Sequence, residues 1–353
     1  LSLPNIADTR IGVTVVTGFL GSGKTTLLNR MVATPRFARA AVVVNEFGAV
    51  GIDHHLVRHV SDTVRVVEGG CICCMVRGGV ADTLRDLFLL AVRRAIQPFG
   101  HVLIETSGLA SPAPVLFTLR HEAFLAERYS YNGTIALADA QHVVAQIRQQ
   151  PEAAQQLALA DEVAISKADL ASPAQVQAAT AAILRLNPAT HVHVLAGEAA
   201  LPAGLLAERL YRGPRPPGEG SAWLARYGAP RPLAGPRAER DEDRPGRPVE
   251  AAPHDVAVAT LVLPGPVPRA AFLRGMASLQ AELGQNLLRM KGLVLFDGDT
   301  GPSAVHGVHD QLYPPVPLPD WPDEEAESRL VFIARGVDEN ALYISARRHL
   351  RGN

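Results

Sequence analysis

The sequence predicts an α/β fold: a mostly parallel sheet with helices on both faces, followed by a small C-terminal α+β domain. Three observations predict it. Residues 11 to about 210 alternate short β-branched runs with amphipathic helical patterns, the order that builds a parallel sheet. The first of these runs passes through a glycine-rich turn directly into a helix. Residues 213–253 then break the pattern, with 9 Pro and 6 Gly in 41 positions and a charge-dominated stretch from Arg237 to Arg247. That is linker composition. We expect a first domain at 1–212, a Pro/Gly/charge-rich linker at 213–253 and a C-terminal domain at 254–353.

In order, Ile11 to Thr17 reads as a strand and Thr25 to Val32 as a helix. Ala40 to Val44 is a continuous apolar run, as expected of a strand buried on both faces. Val64 to Val67 is a short strand. Val80 to Ile96 carries Leu84, Leu87, Phe88, Ala91 and Val92 at helical spacing. Val102 to Ile104, Thr134 to Ala138, Glu162 to Ile165 and Val192 to Leu195 are further strands. Pro173 to Leu186 is a helix, with Ser172 as its cap and Pro173 in the first turn. In the second domain Val256 to Leu263, Leu293 to Phe296 and Leu330 to Ile333 read as strands. Arg269 to Gly284 and Glu339 to Leu350 read as helices. That set suggests a ferredoxin-like sandwich.

The chain has 353 residues, about two domains' worth. Lys plus Arg total 34 and Asp plus Glu 35, a net charge of -1, which excludes a broadly basic nucleic-acid binder. At 47% hydrophobic and 20% charged residues, a packed core is easily supplied. No apolar run approaches the roughly 18 residues a membrane span needs. The N-terminus lacks a basic head followed by an apolar core. A soluble cytoplasmic protein without membrane or nucleic-acid partners is the expectation.

Gly18-Phe19-Leu20-Gly21-Ser22-Gly23-Lys24-Thr25 matches the phosphate-binding pattern G-x-x-x-x-G-K-S/T, with a strand before it and a helix after it. Gly18, Gly21 and Gly23 let successive backbone N–H groups, Ser22's among them, turn inward around phosphate oxygens. Lys24 supplies a point charge to the β and γ phosphates. Thr25 supplies a hydroxyl to Mg²⁺, and Thr26 joins the phosphate-binding residues at the helix start. Ser166-Lys167-Ala168-Asp169 follows a strand and suggests the base. A carboxylate such as Asp169 accepts from N1–H and the exocyclic amine of guanine, whereas adenine N1 is itself an acceptor. Lys167 can lay its stem along the base. Ser166 stands where asparagine is more usual. Glu105-Thr106-Ser107-Gly108 lies directly after the strand Val102 to Ile104. Glu105 can hold Mg²⁺ directly or through water, and the Gly108 N–H can sense a γ phosphate. An ordinary capping turn before a helix at Pro112 is the bland alternative. Lys24, Glu105 and Gly108 are the catalytic candidates, and no arginine finger is evident. Glu46 and Asp53 lie in the loop after the second strand, where either could reach the Mg²⁺.

All three cysteines fall in Glu68-Gly69-Gly70-Cys71-Ile72-Cys73-Cys74. Three thiols in four positions suit a thiophilic cation, Zn²⁺ or Cu⁺, better than a disulfide scaffold. Three sulfurs leave one tetrahedral position open for water, Glu46, His54, His55 or a residue of a client. A redox pair would leave one cysteine unexplained, and buried structural cysteines are the other alternative. His306 and His309 could form a metal pair on a helical turn, or simply lie in a surface loop. His191 and His193 lie two apart on a strand.

Together with Asn45-Glu46-Phe47-Gly48 and Gly51-Ile52-Asp53, these motifs resemble the CobW family of P-loop GTPases. The resemblance covers nearly the whole chain. Arg289-Met290-Lys291-Gly292 and Arg329-Leu330-Val331-Phe332-Ile333 resemble landmarks of that family's C-terminal domain. It implies a P-loop NTPase domain and GTP/GDP with Mg²⁺. It also implies a metal, zinc or cobalt, on Cys71, Cys73 and Cys74, coupled to the GTP cycle. Two departures stand out: Ala49 replaces a frequent second glutamate, and the linker lacks a histidine-rich stretch.

Three classes of function follow. The first is a slow GTPase that hands a divalent metal, zinc first, to a client metalloprotein. The second is a GTP-dependent activator or assembly factor of a cobalt or iron metalloenzyme. The third is a nucleotide-gated regulatory module without net metal transfer. A small-molecule kinase gives the cysteines no role.

Overall fold

The computed structural model describes residues 10–37, 39–45, 79–195, 197, 200–202, 205, 256–318, 320–321 and 326–351, with the backbone of three further strands at 57–61, 64–67 and 72–75. The chain forms two compact units, one around each of two sheets. The expected linker at 213–253 lies outside the described residues, as do Glu46, Asp53, His54, His55 and Cys71.

The first unit is an α/β domain built on a nine-stranded sheet. Its strands are β1 (Ile11–Gly18), β2 (Ala41–Asn45), β3 (Val57–Ser61), β4 (Val64–Val67), β5 (Ile72–Met75), β6 (His101–Thr106), β7 (Tyr129–Asp139), β8 (Glu162–Ser166) and β9 (His191–Val194). They form one sheet in the order β3-β4-β5-β2-β6-β1-β7-β8-β9. From β5 to β9 every neighbouring pair is parallel, while β3, β4 and β5 pair antiparallel at one edge. Val13, Val15 and Val16 of β1 and Leu103 and Ile104 of β6 are fully buried. Their unbroken apolar runs are what central parallel strands require.

The helices of this unit are α1 (Lys24–Val32), α2 (Val80–Val92), α3 (Ala113–His121), α4 (Ala123–Arg128), α5 (Val143–Gln149), α6 (Pro151–Leu159) and α7 (Pro173–Leu186). α7 begins as expected: Ser172 Oγ accepts from the Gln175 N–H at 3.3 Å, and Gln175 Oε1 accepts from the Ser172 N–H at 2.8 Å. This is a capping box, two orphan donors satisfied reciprocally. α2 stops four residues short of Ile96, and the chain leaves it through Arg94 at φ 57°. Ile96 therefore reaches the core from outside the helix.

The second unit holds β10 (Val256–Leu263), α8 (Arg269–Leu283), β11 (Leu287–Val294), β12 (Ser303–Val308), β13 (Gln311–Leu312), β14 (Val316–Pro317), β15 (Ser328–Arg335) and α9 (Glu339–Arg351). Its sheet runs β10-β15-β11-β12-β13, with β14 on β12, and every pair is antiparallel. Leu261, Phe272, Met276, Met290, Phe332 and Leu342 belong to its core. The arrangement is α+β but not ferredoxin-like: the last long strand lies between β10 and β11 rather than at an edge beside the first. The strand expected at Leu293 to Phe296 is instead Leu287–Val294, and Phe296 bridges Val267 outside it. His306 and His309 share no helical turn. His306 lies on β12 opposite Lys291 and stacks on Tyr313, while His309 caps the following turn at φ 51°. Among the described residues no helix is long and apolar enough to cross a membrane.

Candidate functional site

The C-terminal ends of β1, β6, β7 and β8 gather the sequence-derived candidates at one edge of the sheet, where ligands of open α/β sheets bind. β1 ends at Gly18, whose φ of 143° is open to glycine. A Cβ there would stand 2.6 Å from Leu137 O and 2.7 Å from Ser22 Oγ. The loop therefore runs directly over β7 with no room for a side chain. Gly23, at φ 92°, opens α1, so the helix end, whose first N–H groups have no carbonyl partner within a helix, begins at the loop. Lys24 is 6% exposed, and its Nζ donates to Phe19 O at 3.4 Å across the loop. A buried ammonium beside a row of N–H groups forms an electropositive cradle suited to phosphate oxygens.

Thr25 Oγ1 donates to Glu105 Oε1 at 2.8 Å. Glu105 is 1% exposed at the tip of β6, and beside it Thr106 Oγ1 donates to Thr17 Oγ1 at 2.8 Å. A hydroxyl and a carboxylate held together under a phosphate cradle are the donor set that Mg²⁺ takes alongside nucleotide oxygens. The residues present thus fit that ion. Gly108 comes next. A Cβ on it would meet Leu20 N and Leu20 Cα at 2.9 Å each, so the loop after β6 lies against the phosphate loop backbone. Glycine is required there by this close approach.

At the other end, Ser166 Oγ donates to Ser22 O at 2.7 Å and to Ala138 O at 3.3 Å. The Ser166 hydroxyl thus ties β8 to the phosphate loop. Lys167 sits in the left-handed region at φ 56°, and its Nζ donates to Asp139 Oδ2 at 2.7 Å. Burial pushes the Asp139 carboxyl up, but bonds from Lys167, the Gln141 N–H and His142 outweigh it and hold it below the ordinary value. Asp169 is exposed in the short 3-10 turn Ala168–Leu170. Gln141 Nε2 donates to Leu170 O at 2.6 Å, fastening the far end of that turn.

Sequence reasoning passed over Asp139 and Gln156. Asp139 carried a signal, an acid at a strand end, as at Glu105. Gln156, 1% exposed on α6, carried none; it donates to the carbonyls of Gly108 and Ala110.

The cysteine cluster follows β4 in the chain, and Cys73 and Cys74 are consecutive residues of β5, while Cys71 lies outside the described residues. β4 runs antiparallel to β5, so its end at Val67 points away from the phosphate edge. β5 runs back toward that edge. Cys73 is level with Val42 and Leu103, and Cys74 with Val43 and Ile104. The backbone of Cys74 is thus two strand spacings, about 10 Å, from the strand that ends in Glu105 and Thr106. Among the described residues no group of three or more His, Cys, Asp or Glu is gathered for a metal. His309 Nδ1 pairs with Gln285 O at 3.1 Å, and burial pushes its imidazole down.

A parallel sheet, a glycine cradle opening a helix, a buried lysine and a strand-tip carboxylate define a P-loop NTPase. Within that class the chain belongs to the CobW family. Residues 12–194 match the CobW/HypB/UreG nucleotide-binding domain, and residues 256–345 match the cobalamin synthesis protein CobW C-terminal domain. The chain is 30% identical over 332 residues to the zinc chaperone YjiA of Escherichia coli K12, covering 94% of this chain and 96% of that one. It is 40% identical over 123 residues, 32% of each chain, to the zinc chaperone CobW of Pseudomonas aeruginosa. The zinc-bound crystal structure of the E. coli YjiA GTPase superposes with a TM-score of 0.68 at 28% identity, covering 97% of this chain and 99% of that one.

Proposed function

We propose that this chain is a GTP-hydrolysing metallochaperone that binds a divalent metal, zinc first, through Cys71, Cys73 and Cys74 and hands it to a client metalloprotein. The observation that carries the reading is the strand register, which sets β5 two strands from the β6 tip, with Cys74 level with Ile104. The likeness along the whole chain to a zinc chaperone supports it.

In this reading the phosphates lie in the Gly18 to Thr25 loop, with Gly18, Gly21, Ser22 and Gly23 lining it and Thr26 at the helix start. Lys24 offsets the charge that builds on the β–γ bridge as it breaks. Thr25 and Glu105 would hold Mg²⁺, which neutralises phosphate charge when bound. Gly108 offers its N–H to the γ phosphate, and that contact is lost on hydrolysis. Asp169 reads guanine, with Lys167 held beside it by Asp139 and Ser166 joining base loop to phosphate loop. Glu46 and Asp53 are the candidates that follow β2 and could join the Mg²⁺ shell or the zinc shell. Zinc is cargo, so a shell of three thiolates with one exchangeable position suits it better than a closed four-ligand site.

The experiment is metal and nucleotide analysis of protein purified without added metal or chelator, for the parent and a Cys71→Ser, Cys73→Ser, Cys74→Ser variant. Co-purifying guanine nucleotide in both, and one zinc per chain in the parent alone, is expected. Zinc retained by the triple variant would overturn the thiol site. Zinc that stays bound through GTP turnover in the presence of a competing chelator would make the chain a regulatory module instead.

A further inference from the structure

The turn after β6 is held from behind by a side chain outside every motif. Gln156 lies on α6 and is buried, and its Nε2 donates to Gly108 O at 3.1 Å and to Ala110 O at 3.0 Å. Two carbonyl oxygens fix which way the amide points, because its own oxygen there would face acceptors only. Its Oε1 is buried without a hydrogen-bond partner among the described residues. An unpaired buried acceptor is costly. What holds this amide in place is therefore the pair of bonds it donates to the turn.

Those bonds have a geometric consequence. The turn is closed by the Ala110 N–H on Ser107 O at 3.1 Å. Peptide groups are planar, so pinning the Gly108 and Ala110 carbonyls toward α6 sets the planes of the Gly108–Leu109 and Ala110–Ser111 peptides, and the peptide that bears the Gly108 N–H is set between them by its own carbonyl, Ser107 O, on the Ala110 N–H. On its other side Gly108 is pressed against Leu20 of the phosphate loop. The turn is thus clamped between α6 and the phosphate loop.

We propose that Gln156 is a positioning residue, a latch that keeps the Ser107 to Ala110 turn in the arrangement lying against the phosphate loop, and so sets the preference for triphosphate over diphosphate. This rests on the reading of Gly108 as the γ-phosphate sensor. Gln156 touches no phosphate; it acts through the turn. With the latch, the sensing arrangement is formed before GTP arrives. Without it, only a fraction of molecules holds that arrangement, and apparent GTP affinity falls by that fraction, whereas GDP, which makes no γ contact, is unaffected.

Two substitutions separate the latch from mere packing. Gln156→Met keeps the volume and removes both donors. Gln156→Glu keeps the shape; its carboxyl donates one hydrogen bond when protonated and none when ionised. GDP and a non-hydrolysable GTP analogue are titrated by calorimetry, and GTP turnover is followed from about pH 5.5 to 8.5. In Gln156→Met, analogue affinity and kcat fall about tenfold while GDP affinity stays within about twofold. In Gln156→Glu, the GTP preference is close to the parent's at low pH and declines as pH rises, a profile the parent lacks. Equal losses for GDP and analogue in Gln156→Met, or a parent-like pH profile in Gln156→Glu, would overturn the latch. If Gln156→Met fails to fold, the pH profile of Gln156→Glu decides alone. A parent that binds neither nucleotide would overturn the GTPase reading, and the latch with it.

Discussion

The phosphate end and the base end of the proposed nucleotide site are built to different standards of burial. At the phosphate end Lys24 and Glu105 are nearly inaccessible, and Gly18 and Gly108 are fixed by close backbone approach to Leu137 and Leu20. At the base end Asp169 is exposed on a three-residue turn, held by a buried carboxylate, Asp139, through a lysine that is 38% exposed. A buried, preorganised cradle serves every nucleoside triphosphate and leaves little to adjust. In the proposed reading the exposed Asp169, on its fastened turn, chooses among bases and tolerates variation around it. The difference predicts that damage at the phosphate end abolishes binding, whereas damage at the base end changes what is bound.

The largest effect is expected from Lys24→Ala. Removing a charge from a partly dry site should weaken GTP and GDP by at least about 100-fold. Calorimetry with GDP and a GTP analogue measures it, and unchanged affinity would remove the cradle from the account. Asp169→Ala is expected to act on selectivity. Loss of a charge-assisted pair of hydrogen bonds should cut the preference for GTP over ATP by about 10-fold or more. Competition of GTP and ATP for one fluorescent nucleotide reads that ratio, and a preference that survives the substitution would show that another group selects the base.

The smallest effect is expected at Asp139→Asn, about 1 kcal/mol, because solvent around Lys167 screens the pair. Its signature is pH. The Asp139 carboxyl is held below its ordinary value in the folded chain. The ionised contacts therefore contribute fully above about pH 4, where the unfolded chain also loses its proton, and the contribution fades as pH falls through the lower folded value. Urea midpoints measured from about pH 6 down to pH 3 should converge for parent and Asp139→Asn at the acid end. A gap that widens on acidification would contradict the assignment.

What could be read from the chain follows the same division. The Gly18 to Thr25 loop was legible because backbone geometry demands glycine at fixed spacing, and β1 and β6 were legible because burial on both faces leaves an unbroken apolar run. The strand Ile72–Met75 was not, because two of its four residues are cysteines whose clustering reads as a ligand loop. β12, β13 and β14 escaped because the segment from Ser303 to Pro317 mixes Gly, His and Pro, and the pairing of β12 with β11 and β14 is set mostly by partners more than ten residues away. Asp139 and Gln156 act through bonds to residues 28 to 48 positions away, which no local pattern encodes.

The central claim of the proposed function is that nucleotide state changes metal affinity. It is tested most directly by zinc competition against a chromophoric chelator, with the protein apo and bound to GDP, GTP or a non-hydrolysable analogue. We expect zinc affinity to differ between the GDP and analogue states by about 5-fold or more. By linkage, zinc should shift the analogue-over-GDP preference by the same factor. Identical zinc affinity in all four states would contradict the claim.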